Sequence, residues 1–135
     1  MKIAIVGSRT FSDEMMIRDC VNQLKEKYGD KLIIVSGGAQ YGADAYAKKY
    51  ALFFGIEYRE FNPAHTRKNQ YSVMPELYFG KNYHPSHFFH RNTLVVKASD
   101  VVIAFINPHT ESNGTKHTIK EAERMGKPVL IFKQM

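Results

Sequence analysis

The chain has 135 residues, 44% hydrophobic and 24% charged, with 9 Gly and 5 Pro. That composition excludes intrinsic disorder and collagen-like repeats, and the length fits a single domain, residues 1–135, with its own core. No apolar run approaches the ~18 residues of a membrane span, and the net charge of +6 favours anionic partners without choosing among them.

Taken in chain order, Lys2–Val6 is a short apolar run ending at Gly7. A helix is expected over residues 12–28, because Ile17, Cys20, Val21, Leu24 and Tyr28 recur on one face. Ser12 is its expected N-cap, Asp13 and Glu14 fill the first turn, and Gly29 ends it. Leu32–Val35 is a second strand, closed by Ser36-Gly37-Gly38. A second helix follows over Asp44–Phe54, with Ala43, Tyr46, Ala47, Tyr50 and Ala51 inward and Gly55 as its stop. Ile56–Phe61 is a third strand. Residues 62–86 contain Pro63, Pro75 and Pro85 and no clean period, so they are expected to form a long loop or lid. His87–Ala98 is a helix and Val101–Phe105 a fourth strand. Asn107–Asn113 is a turn-rich loop, Gly114–Met125 a helix and Pro128–Phe132 a fifth strand.

Strands alternating with helices predict an α/β fold, a doubly wound, mostly parallel five-stranded sheet of order 3-2-1-4-5. Strands apolar throughout predict helices on both faces. Such sheets bind ligands beyond the carboxyl ends of their strands. Three segments there are rich in Gly, Ser and Thr: Gly7-Ser8-Arg9-Thr10, Ser36-Gly37-Gly38-Ala39 running on to Gly42 and Asp44, and Ser112-Asn113-Gly114-Thr115. Glycine lets backbone N–H groups approach a ligand, and a helix N-terminus adds unpaired donors, so together they make an anion cradle. None of the three fits the G-x-G-x-x-G or G-x-x-x-x-G-K-[ST] spacing.

Residues 57–97 differ from both ends of the chain. They hold four of the six histidines, six Lys/Arg against three acids, and eight of the 17 aromatics. His84, His87 and His90 are three apart, but no acid or cysteine stands beside them, so no metal is expected. Cys20 lies on the apolar face of the first helix and reads as a small core residue. A single cysteine and a first apolar run too short for a signal peptide fit a cytoplasmic protein with no membrane partner.

The ordered set GSRTF, IVSGGAQYGADAYAKKYA, Arg91-Asn92 and SNGTKHTIKEAERMGKPV resembles the SLOG superfamily of Rossmann-like proteins, in particular its small stand-alone members. That superfamily also includes cytokinin-activating phosphoribohydrolases and the DNA-processing protein A family. The resemblance implies a nucleotide or nucleotide-derived ligand, no additional cofactor, and a homodimer or higher homo-oligomer. It places Gly7, Ser8 and Arg9 on one wall of the site, and Ser36, Gly37, Gly38, Ala39, Gly42 and Asp44 on a second. Ser112, Gly114, Thr115 and Thr118 form a third, with Arg91 and Asn92 approaching from the adjacent helix. Arg9 and Arg91 suit bidentate phosphate contacts. Asp44 is either a helix first-turn residue or a partner for ribose hydroxyls.

Two other functions stay open at this point. A nucleotide N-glycosidase needs a carboxylate near the sugar, and the phosphoribohydrolases carry P-G-G-x-G-T-x-x-E. Here Gly114-Thr115 keeps the G-T step, but Thr118 replaces the glutamate and Thr110-Glu111-Ser112 replaces P-G-G. Single-stranded DNA binding would use the basic, aromatic middle segment, whose aromatics can equally be core and whose Lys/Arg a solvated face.

Overall fold

The computed structural model describes residues 1–62, 69–74 and 85–135, with side chains of the last stretch from residue 89 onward. Five strands alternate with four helices: β1 (Lys2–Gly7), α1 (Glu14–Tyr28), β2 (Ile33–Ser36), α2 (Ala43–Phe53), β3 (Glu57–Glu60), α3 (Pro85–Lys97), β4 (Val101–Ile106), α4 (Asn113–Arg124) and β5 (Val129–Lys133). The sheet order is β3-β2-β1-β4-β5 and every pairing is parallel. The order reverses between β2 and β4, on either side of β1, which is the switch point where such sheets take ligands.

The two faces are packed by different helices. Ile3, Ile5, Ile34, Ile103 and Phe105 join Ile17 and Val21 of α1 and Ala47 and Tyr50 of α2 in one cluster. Ala4, Val6, Val35, Val102 and Ala104 join Val95 and Val96 of α3 and Ala122 of α4 in the other. Successive residues of β1 therefore feed opposite cores, which is why the strand is apolar throughout. Cys20 packs against the first cluster, and burial pushes its thiol up to about 11. A thiol held there is protonated at neutral pH and is no nucleophile.

Local chemistry differs from the sequence expectation in several places. The N-cap of α1 is Asp13, not Ser12: its Oδ1 accepts from the Met16 amide at 3.2 Å. Ser12 instead bonds Gln134 beyond β5, its amide donating to Oε1 at 2.7 Å. Coverage of both sheet faces does not extend to β5, where Leu130, Ile131 and Phe132 are exposed. A single 3₁₀ turn, Gly29–Lys31, joins α1 to β2. A parallel bridge between Glu60 and Ser72 extends the β3 edge. The rest of the expected lid, 63–68 and 75–84, lies outside the described residues, with His65 and His84 and the side chain of His87. His90 is exposed. Among the described residues no group of three His, Cys, Asp or Glu is arranged to hold a metal, and no helix is long and apolar enough to cross a membrane.

Phe105 is fully buried at the carboxyl end of β4, edge-on to Phe11 and stacked on Phe132, both at 5.4 Å between ring centroids. Phe105→Ala is expected to cost roughly 3–5 kcal/mol, the range for emptying a buried aromatic site. Urea unfolding checks this; a midpoint unchanged from the parent would mean that the cavity collapses.

Candidate functional site

Beyond the carboxyl ends of β1, β2 and β4 lies a cleft of about 480 Å³. Each of the three Gly/Ser/Thr segments contributes to it. Gly7, Ser8, Arg9 and Thr10 come from the first, and Gly37, Ala39 and Asp44 from the second. Ser112, Asn113, Gly114, Thr115 and Thr118 come from the third, and Arg91 and Asn92 from α3. A second hollow of about 200 Å³ adjoins it and includes Gly38, and the two share Arg9, Gly37, Ala39 and Arg91. Of the residues expected at the site, Ser36 and Gly42 line neither hollow. Ser36 is buried, its hydroxyl accepting the Gly38 amide at 3.3 Å. Gly42 has φ +73, and a Cβ there would collide with the Ser8 carbonyl oxygen. Both residues shape the loop from behind.

The backbone donors are only partly the ones that the sequence picks out. The Ser8 amide donates to the Phe105 carbonyl at 3.0 Å. The Ala39 amide donates to Asp44 Oδ2 at 3.2 Å, and the Thr115 amide to Ser112 Oγ at 3.4 Å. With Gly38 engaged as well, four of the amides expected to hold an anion are occupied. The amides of Asn113 and Gly114, in the first turn of α4, have no protein acceptor among the described residues, as helix geometry dictates. Nor have those of Arg9 and Thr10. Ser8 acts as a junction: its carbonyl accepts from Phe11 and Ala43, and its hydroxyl from the Asn107 amide at 3.2 Å.

The side chains divide into a buried set and an exposed one. Arg91 is 9% exposed; its Nη1 donates to the Gly37 carbonyl at 2.6 Å and its Nε to Asn92 Oδ1 at 2.8 Å. Asn92 Nδ2 donates onward to the Gly114 carbonyl at 3.2 Å, linking α3 to α4. Asp44, in the first turn of α2, is 8% exposed. Burial raises its pKa above the ordinary carboxylate range, opposed by Arg91, the Ala39 amide and Arg9. Burial likewise lowers the Arg91 pKa, opposed by Asp44 and Glu60. Arg9 is exposed, and its guanidinium has no hydrogen-bond partner among the described residues. Thr118 stands where a phosphoribohydrolase has its glutamate, and its hydroxyl donates to the Gly114 carbonyl at 3.0 Å. The carboxylates lining the cleft are Asp44 and Glu111, the latter paired with Lys116 at 3.2 Å.

Sequence reasoning missed Glu60, which is 3% exposed at the end of β3. Its carboxylate accepts from Tyr58 at 3.0 Å and from Asn69, and pairs with Lys48 at 3.3 Å. A Cβ on Gly38 would stand 2.5 Å from its Cγ and Cδ. The loop after β2 therefore lies between two buried carboxylates, Asp44 and Glu60. The available signal was alternation: Tyr58 points inward, so Glu60, two residues on, does too.

The fold and the loops define a SLOG-type Rossmann-like domain. The chain belongs to the family described as DNA recombination-mediator protein A, whose sequence profile matches residues 1–135. Gene 61 protein of Mycobacterium phage D29 is 32% identical over 134 residues, covering 97% of this chain and 95% of that protein. Two solved structures share the fold. The molybdenum cofactor binding protein of Rippkaea orientalis superposes with a TM-score of 0.73 at 20% identity, over 99% of this chain and 77% of that one. The molybdenum cofactor carrier protein of Chlamydomonas reinhardtii gives 0.68 at 18% identity, over 98% and 77%.

Asp44 generates a pH prediction. Between the ordinary value near ~3.9 and its raised value the folded state binds more protons than the unfolded chain, so its contribution to stability falls as pH rises through that window. Above the raised value the ionised carboxylate repels an anion in the cleft. Sulfate, which keeps its charge across this range, is expected to bind more tightly as pH falls through the window, and Asp44→Asn to flatten the dependence. Calorimetric titration with sulfate at a series of pH values checks both.

Proposed function

We propose that this protein binds a small phosphorylated molecule, a nucleotide or a nucleotide derivative, as a carrier, sensor or sequestering protein. The observation that carries the reading is the cleft itself. The Arg9 guanidinium and the first-turn amides of α4, unpartnered among the described residues, line one hollow together with an Arg91 whose position the protein already fixes. Exposed guanidinium groups and open helix-start amides both stabilise anions. The structural neighbours support this use of the fold, being described as a binding and a carrier protein for a small cofactor. N-glycoside hydrolysis is less well supported, since Thr118 supplies no carboxylate and Glu111 is exposed and paired with Lys116. A homo-oligomer remains part of the proposal, with a solution mass above one chain as the expected result.

The family description favours a second reading, single-stranded DNA binding, and the net charge of +6 agrees with it. Salt separates the two. A DNA binder that neutralises several phosphates loses affinity steeply with salt concentration, whereas a single-phosphate ligand does so only shallowly.

Mass spectrometry of small molecules released on denaturing the purified protein is expected to find a phosphorylated nucleotide-type compound. Arg9→Ala is expected to weaken phosphate-bearing ligands by roughly 1.5–3 kcal/mol, the range for a hydrogen bond to a charged group. Unchanged affinity in a calorimetric titration would remove Arg9 from the site. Release of free base from nucleoside monophosphates would replace the binder with a hydrolase.

A further inference from the structure

The second hollow lies over the tip of the loop after β2, where Gln40 and Tyr41 stand next to Arg9 and Asn62. The tip is held at both ends. Gly38 and Gly42 have φ of +75 and +73, one pressed on Glu60 and the other on the backbone of Ser8 and Arg9. Asn62 Nδ2 donates to the Gly38 carbonyl at 2.9 Å, fixing the wall opposite. On this anchored tip Tyr41 is 71% exposed, with no ring or hydrogen-bond partner among the described residues. One exposed tyrosine is ordinary on a surface; what singles out Tyr41 is its place on an anchored tip that lines a hollow.

We propose that Tyr41 is a stacking platform for a planar nitrogen heterocycle, carried by the same ligand whose phosphate lies in the larger cleft. The inference rests on the reading above and extends it to a second part of the ligand. The two hollows adjoin, sharing Arg9, Gly37, Ala39 and Arg91 in their linings, and the proposed ligand bends over those residues to reach both. The smaller holds about 200 Å³, several times the ~30 Å³ of a liquid water and enough for one or two fused rings. Arg9 at the junction can meet the phosphate or lie against the ring. The exposed Gln40 amide offers both a donor and an acceptor to a heterocycle edge. Phe89 is the competing platform: it lines the larger cleft, but its ring is already engaged with His117 at 4.8 Å between centroids.

The test is calorimetric titration of the full chain with inorganic phosphate, ribose 5-phosphate, and adenosine and guanosine 5′-monophosphate. The parent is compared with Tyr41→Ala, Tyr41→Phe and Phe89→Ala. Tyr41 has no described partner, so its variants are expected to fold, and circular dichroism verifies this. At least one of the two nucleotides should bind roughly tenfold or more tightly than ribose 5-phosphate. Tyr41→Ala should remove most of that advantage, in the range found for bases stacked on aromatic side chains. It should leave ribose 5-phosphate binding unchanged, and Tyr41→Phe should restore the nucleotide affinity. Equal affinity for nucleotides and ribose 5-phosphate, or a nucleotide loss caused by Phe89→Ala and not by Tyr41→Ala, overturns the stacking proposal and leaves the phosphate cleft standing. If none of the four probes binds, the cleft reading falls and the subsite falls with it.

Discussion

The site depends on one buried cation. Arg91 cannot give up its proton under ordinary conditions, so a guanidinium out of water must be satisfied where it lies. It is satisfied by the Gly37 carbonyl, by Asn92 and by the field of Asp44. Those groups belong to three separate elements: the loop after β2, α3 and the first turn of α2. Holding the cation therefore holds the elements together at the sheet edge. Gly37 has no side chain because the guanidinium fills that space: a Cβ would stand 2.8 Å from Arg91 Cζ. Removing Asp44 or the Gly37 carbonyl would leave the charge partly uncompensated, and such losses cost several kcal/mol.

On the far side of the same loop, Glu60 does with a buried anion what Arg91 does with a buried cation. Its partners are Lys48, Tyr58 and Asn69, and it presses on Gly38. The chain from Ser36 to Asp44 is clamped between them. That explains two consecutive glycines better than phosphate contact alone does. The first clears Arg91, and the second clears Glu60 while taking a left-handed conformation. A motif that looks like a ligand cradle in one dimension is, in three, also a device for letting two buried charges pass a backbone.

The architecture was legible because burial on both sheet faces leaves a simple mark. Strand-length runs alternating with amphipathic helices led to the order β3-β2-β1-β4-β5, and most element ends differ from expectation by one or two residues. The convergence of three Gly/Ser/Thr segments followed from the switch-point rule alone. What could not be read was the state of each donor. Position after a strand says that Ser8, Gly38 and Thr115 come near the rim, but not that their amides are already bonded to Phe105, Ser36 and Ser112. Donor occupancy depends on distances between segments far apart in the chain. Glu60 was overlooked for a related reason. A glutamate at a strand end is ordinarily solvated, and of the groups that make its burial tolerable only Tyr58 shares its strand; Lys48 and Asn69 come from other parts of the chain.

The charges in the cleft also divide the work. Asp44 lies close enough to Arg91 to offset its field, and Lys116 offsets Glu111. Arg9 has no such partner among the described residues and keeps its charge in reach of solvent. Among the described residues of the cleft, the positive groups without a protein acceptor are therefore the Arg9 guanidinium and the open amides of α4. Arg91 already donates Nη1 to Gly37 and Nε to Asn92, so neither of those two donors can turn to a phosphate without releasing its protein partner. An exposed arginine on a loop fixed by Ser8, with no hydrogen-bond partner among the described residues, gives up no bond to them when an anion arrives. On the proposed reading Arg91 sets the shape of the cleft and Arg9 carries the binding, although in the sequence both appear as arginines beside a glycine loop.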